Sequence, residues 1–225
     1  MGITLEGQAG PRQVADGSMT ELRQGRTGEL CWSPCHGSMA EAAVRGKLFS
    51  GGTVATGTTI VAGNVSPVGA AAASILSIYN PFAGTSANVN AILHRIVLTH
   101  ISGTPGAGQY LTLDFAYNQV VTATPNNNGT AGLMPVNHLA GGNTGMCQIY
   151  TQTALTGAAA QTFFRHLGAV SFATALAATT PNLCYNEVLD GEIVIPPGGL
   201  LSIGAAATGT SHVVAASFTW EEVPA

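Results

Sequence analysis

Cys31-Trp-Ser-Pro-Cys35-His36 is the cluster whose residue types best suit a metal ion. Thiolate and imidazole are good zinc ligands, and two cysteines with three residues between them fall within the spacing of zinc sites. A closed structural site takes four ligands, and the other two cysteines, Cys147 and Cys184, stand singly. The cluster therefore reads as a polar and aromatic stretch in which Cys31 and Trp32 pack against an apolar surface, and no metal or other cofactor is expected. His94, His100, His138, His166 and His212 are scattered through the rest of the chain. His94 and His100 fall on one face of an extended strand, but six residues span about 20 Å, too far to share an ion within one chain. One such histidine from each of three subunits would meet on a three-fold axis.

Glu187, Asp190 and Glu192 are close together in the sequence. A glycosidase needs two carboxylates held at a set separation across a cleft. Here Leu189-Asp-Gly191 has turn chemistry, which accounts for Asp190 without catalysis. The chain has no G-x-S-x-G nucleophile elbow, no G-x-x-x-x-G-K-S/T phosphate loop and no strand-linked G-x-G-x-x-G. No enzymatic activity is expected.

Only 8% of the residues are charged, against roughly 25% in an average soluble domain. A surface built from Thr, Asn, Gln, Ala and Gly fits a chain that hides much of itself in subunit contacts, where Lys, Glu and Asp are depleted. The net charge is −4, and seven basic residues spread along the chain make no nucleic-acid footprint. The weakly polar run over 68–79 is 12 residues long, whereas a spanning helix needs about 20. Residues 1–10 lack a basic segment followed by an apolar one, so neither a membrane nor a secretory route is expected.

The elements that must position these residues divide in two. Residues 1–46 hold many of the charges, several glycines and little apolar periodicity, and read as an extended N-terminal arm. Ser38-Met-Ala-Glu41 has capping-box spacing and predicts a short helical turn stopped by Gly46. From 47 to 225 the pattern is β: short runs rich in Val, Ile, Leu, Thr and Phe, separated by Gly, Pro and Asn clusters. Residues 92–101 are apolar on both faces and predict an inner strand buried on two sides. Residues 110–117 alternate and predict a half-buried strand, joined to the first as a long hairpin. Strands are also expected at 146–151, 169–172, 192–195, 200–203 and 211–220, with 70–77 read as strand and 155–164 as a loop with a helical turn. In 211–220, His212, Val214, Ala216, Phe218 and Trp220 share one face. The expected fold is all-β, a jelly-roll-like antiparallel β-sandwich behind the arm. Arg23 and Arg26 flank Gly25 in the arm and are suited to bidentate pairing with a neighbour's carboxylates.

Leu22-Arg-Gln-Gly-Arg-Thr-Gly-Glu-Leu30, followed by His36-Gly37 and Glu41-Ala42, resembles the N-terminal stretch of virion structural proteins of tailed bacteriophages. Residues 192–203 and 217–224 resemble the closing strands of phage decoration and fibre-type jelly rolls. In place of an aliphatic run this chain has Cys31-Trp-Ser-Pro-Cys35, where Pro34 would interrupt a strand. The resemblance implies a capsid decoration, or cement, protein on the outer surface of the virion, a homotrimer whose partners are itself and the major capsid protein. It makes Arg23, Arg26, Glu29 and Trp32 the arm's assembly residues. The alternative is a fibre module that binds a receptor or glycan, for which Tyr79, Phe82 and Tyr150 are the candidate sugar-stacking aromatics.

Overall fold

The computed structural model describes residues 39–54, 56–59, 74–82, 88–103, 109–117, 135–151, 162–170, 184–206 and 212–225. The chain divides into two units, 1–41 and 42–225, and nearly all described residues belong to the second.

The predicted helical turn is present as α1 (Ala40–Val44). It ends at Gly46, whose φ of 64° is the left-handed cap conformation. There Gly46 N–H donates to the carbonyl of Ala43 at 3.0 Å and Lys47 N–H to that of Ala42 at 2.8 Å.

Among the described residues eleven strands follow: β1 (Leu48–Gly52), β2 (Thr58–Thr59), β3 (Leu76–Tyr79), β4 (Val89–Ser102), β5 (Gln109–Ala116), β6 (Val136–Asn137), β7 (Gln148–Tyr150), β8 (Thr162–Val170), β9 (Cys184–Ile195), β10 (Leu200–Ala206) and β11 (Val213–Pro224). They form two antiparallel sheets. One runs β6-β1-β11-β4-β9 with β2 paired to β11, and the other runs β7-β3-β10-β5-β8. The chain is an all-β sandwich. Its core joins Phe49, Leu93, Ile96, Leu98, Phe218 and Trp220 of the first sheet to Leu111, Leu113, Ile149, Leu201 and Ile203 of the second. Full burial of each such side chain stabilises by roughly 1.5–3 kcal/mol. β11 follows its predicted alternation: Val214, Ala216, Phe218 and Trp220 are buried, with partly exposed residues between them.

Three expectations are corrected. First, 92–101 and 110–117 are not a hairpin. β4 pairs with β11 and β9, β5 pairs with β10 and β8, and the connection crosses from one sheet to the other. Second, β4 is not buried on two sides. Its register slips at His94, so that Ala91 and Leu93 face the core before the bulge and Ile96 and Leu98 after it, while Ile101 is exposed. One apolar face shifted by one residue looks, in sequence, like two faces. Third, β5 is buried on both sides: Thr112, Asp114 and Ala116 are as enclosed as Leu111 and Leu113. Their face of the second sheet also carries a small apolar cluster of Tyr79, Ala116, Tyr150 and Leu200. Its polar row is hydrogen-bonded, Ser74 Oγ to Ser77 Oγ at 2.5 Å and Ser77 Oγ to Ser202 Oγ at 2.6 Å, which is what burial of hydroxyls requires.

The end of the predicted loop at 155–164 is also strand, since Phe163 and Phe164 lie in β8. Strand β9 begins well before the predicted Glu192. The turn expected at Leu189-Asp-Gly191 exists, as a bulge inside β9 with φ of 44° at Asp190 and 87° at Gly191.

Candidate functional site

The arm residues Arg23, Arg26, Glu29 and Trp32, and the cluster of Cys31, Cys35 and His36, lie outside the described residues. Among the described residues no group of three or more His, Cys, Asp or Glu side chains is placed to hold a metal ion, and no helix is long and apolar enough to cross a membrane.

The bulge in β4 separates the two histidines expected on one face. His94 Nε2 lies 3.5 Å from Glu221 Oε2. His100 pairs in register with the core residue Val214 and stacks on the buried ring of His212, with centroids 5.0 Å apart. Burial, with His100 adding repulsion, lowers the His212 imidazole to about 4.

Glu187 and Glu192 do come together, through one cation. Arg165 of β8 pairs with Glu187 and, at 3.3 Å, with Glu192. Five residues along a regular strand would span about 17 Å. The bulge removes most of that distance, because the pairs Leu93–Ile193 and Arg95–Val188 leave residues 189–192 opposite His94 alone. Tyr185 O–H donates to Glu187 Oε2 at 2.6 Å, and burial together with this bond pushes its phenol up to about 12. The cluster thus fastens β8 of one sheet to β9 of the other and leaves the guanidinium charge answered by carboxylates.

The opposite flank of the sandwich carries a hydroxyl–imidazole contact. Ser50 Oγ lies 2.7 Å from His138 Nε2 and 3.0 Å from Thr219 Oγ1. A nucleophile–base pair has this spacing. Acyl transfer also needs free donors for an oxyanion, and the Ser50 main chain sits in ladders with both β6 and β11. The three side chains tie β1, β11 and the segment after β6 together.

Beside them, on the outer face of the first sheet, runs an open groove of about 360 Å³ lined by Ser50, Gly52, Val97, Thr99, Val136 and Ala215 among others. None of the described residues that line it is charged. The groove exists because Gly52, Ala215 and Ser217 are small. At Gly52 a Cβ would sit 2.6 Å from the Ala216 carbonyl oxygen. An antiparallel sheet's solvent face is ordinarily polar, so a face of Val, Ala, Gly, Ser and Thr is suited to close contact with another surface. Sequence periodicity marks these positions as outward, but only the strand order brings residues from β1, β4, β6 and β11 side by side.

Of the three aromatics considered for sugar stacking, Tyr79 and Tyr150 are buried and only Phe82 is exposed. The exposed aromatics sequence reading missed are Phe163 and Phe164 on β8 and Tyr117 just beyond β5. No family model, no curated protein and no solved structure matches this chain.

Proposed function

We propose that the chain is a structural protein of a tailed bacteriophage particle. It assembles as a homotrimer on the outer capsid surface and stabilises the shell by bridging major capsid subunits. The observation that carries this reading is the open groove on the outer face of the first sheet, whose described lining is uncharged, in a chain with 8% charged residues. Surfaces of that kind gain by being covered.

The strand order supports a jelly-roll reading of the sandwich. With β2, β6 and β7 set aside, the remaining strands are ordered first, last, third, sixth in one sheet and second, seventh, fourth, fifth in the other, as two interleaved Greek keys would be. The alternative of a glycan-binding fibre module has lost two of its three candidate aromatics to the interior. Trivalency lets many shallow contacts hold a shell without any single strong one.

The test is the solution mass by light scattering, followed by co-sedimentation with undecorated capsid shells of the phage that encodes the chain. A mass near three chains and saturable binding to shells are expected. A protein that stays in the supernatant at every shell concentration removes the decoration role.

A further inference from the structure

We infer that copies of this chain join head to tail, with the β8 edge of one copy seated in the uncharged groove on the first sheet of the next. This deepens the homotrimer reading and rests on it. Phe163 and Phe164 are 44% and 50% exposed, on a strand that is outermost in its sheet among the described residues. Sheet edges are ordinarily guarded by Lys, Pro, bulges or a covering segment, and β8 contains neither Lys nor Pro. Its one arginine, Arg165, is answered by Glu187 and Glu192, and the ring of His166 lies tilted against Phe163, centroids 4.8 Å apart. Register shifts in the β5–β8 ladder mark bulges, which disfavour extension of the sheet by another strand. Contact is therefore through the side chains.

The groove offers the complementary surface, concave and without charge. The two surfaces also sit apart on one copy. The groove lies over β1, β11 and β4 of the first sheet, while β8 is the last strand of the second sheet, on the β9 side. Two different patches that match each other make a heterologous contact, and such contacts close into a ring when the rotation allows. Under the homotrimer reading, three copies of the same contact close the ring, with no second interface.

The experiment uses two full-length variants. Thr99→Arg fills the groove, and Phe163→Ser with Phe164→Ser removes the aromatics. Circular dichroism first checks that the strand signature is kept, and Val97→Arg replaces Thr99→Arg if it is not. Expected masses are three chains for the parent protein, one for each variant, and two for an equimolar mixture. In the mixture an intact β8 edge meets an intact groove once only. Folded variants that keep the parent mass overturn this contact while leaving the homotrimer standing, as does a mixture no heavier than its components. A parent protein with the mass of one chain overturns both.

Discussion

Glu222 near the end of β11 accepts the main-chain N–H of Cys147 at 3.0 Å, joining the first sheet to the start of β7 in the second. Its carboxylate also accepts Met146 N–H at 2.8 Å and Trp220 Nε1–H at 3.1 Å. Three donors compensate a buried anion. Gly145 makes room for it, since a Cβ there would lie 2.7 Å from Glu222 Oε1. Replacement by alanine leaves three donors unsatisfied in the interior. We expect Glu222→Ala to cost at least about 3 kcal/mol, read from urea unfolding. A loss below about 1 kcal/mol would mean that water or another group reaches those donors.

His212 makes stability depend on pH. Its folded value is near 4, against an ordinary 6.5, because burial and the neighbouring His100 disfavour the imidazolium. Between those values the unfolded chain binds a proton and the folded chain does not. The neutral ring's contribution is therefore full above about pH 6.5 and is lost as the pH falls toward 4. From pH 7 to pH 5 this single group should remove about 2 kcal/mol. Comparing His212→Phe with the parent protein at both pH values isolates it: the variant's loss should be smaller by that amount. Equal losses would place the acid sensitivity elsewhere.

The strands that follow simple rules were legible in the sequence. β11 alternates without interruption through its core-facing residues, and α1 follows its cap and its terminal glycine. The errors have separate physical causes. At His94 one bulged residue changes which parity faces the core, and periodicity has no symbol for a bulge. In β5 the polarity of Thr112 and Asp114 suggests a side facing water, yet they lie on the covered face with the linked hydroxyls of Ser77 and Ser202. The groove was illegible for another reason: its lining is small and unremarkable in type, and Gly52, Val97 and Ala215 become neighbours only through pairings between strands distant in the chain.

The two described cysteines should differ sharply in reactivity. Cys147 is buried, and that burial, reinforced by Glu222, raises its thiol well above the ordinary value. Cys184 is exposed at the start of β9. Thiolate fraction and access both govern alkylation. Brief iodoacetamide treatment of the folded protein, followed by peptide mass mapping, should label Cys184 and spare Cys147 until denaturant is added. Equal labelling under native conditions would show that the Glu222 clip opens readily.

The bulge in β9 makes the last prediction. Gly191 holds φ at 87°, and a Cβ there would lie 3.1 Å from Ile92 Cγ2. Asp190 holds φ at 44°, a conformation that Asp tolerates better than most residues. Gly191→Ala should therefore destabilise by about 1–2 kcal/mol, and Asp190→Gly should change stability by about 0.5 kcal/mol or less in either direction. The bulge is also what lets Arg165 reach Glu187 and Glu192 together. Straightening it would carry Glu192 away from the guanidinium and leave Glu187 with Arg165 and Tyr185. Arg165→Met should then cost less in the Gly191→Ala background than in the parent chain, and a double-mutant cycle measures that difference directly. Additive losses would separate the ion pairs from the bulge and leave Gly191 with a purely conformational role.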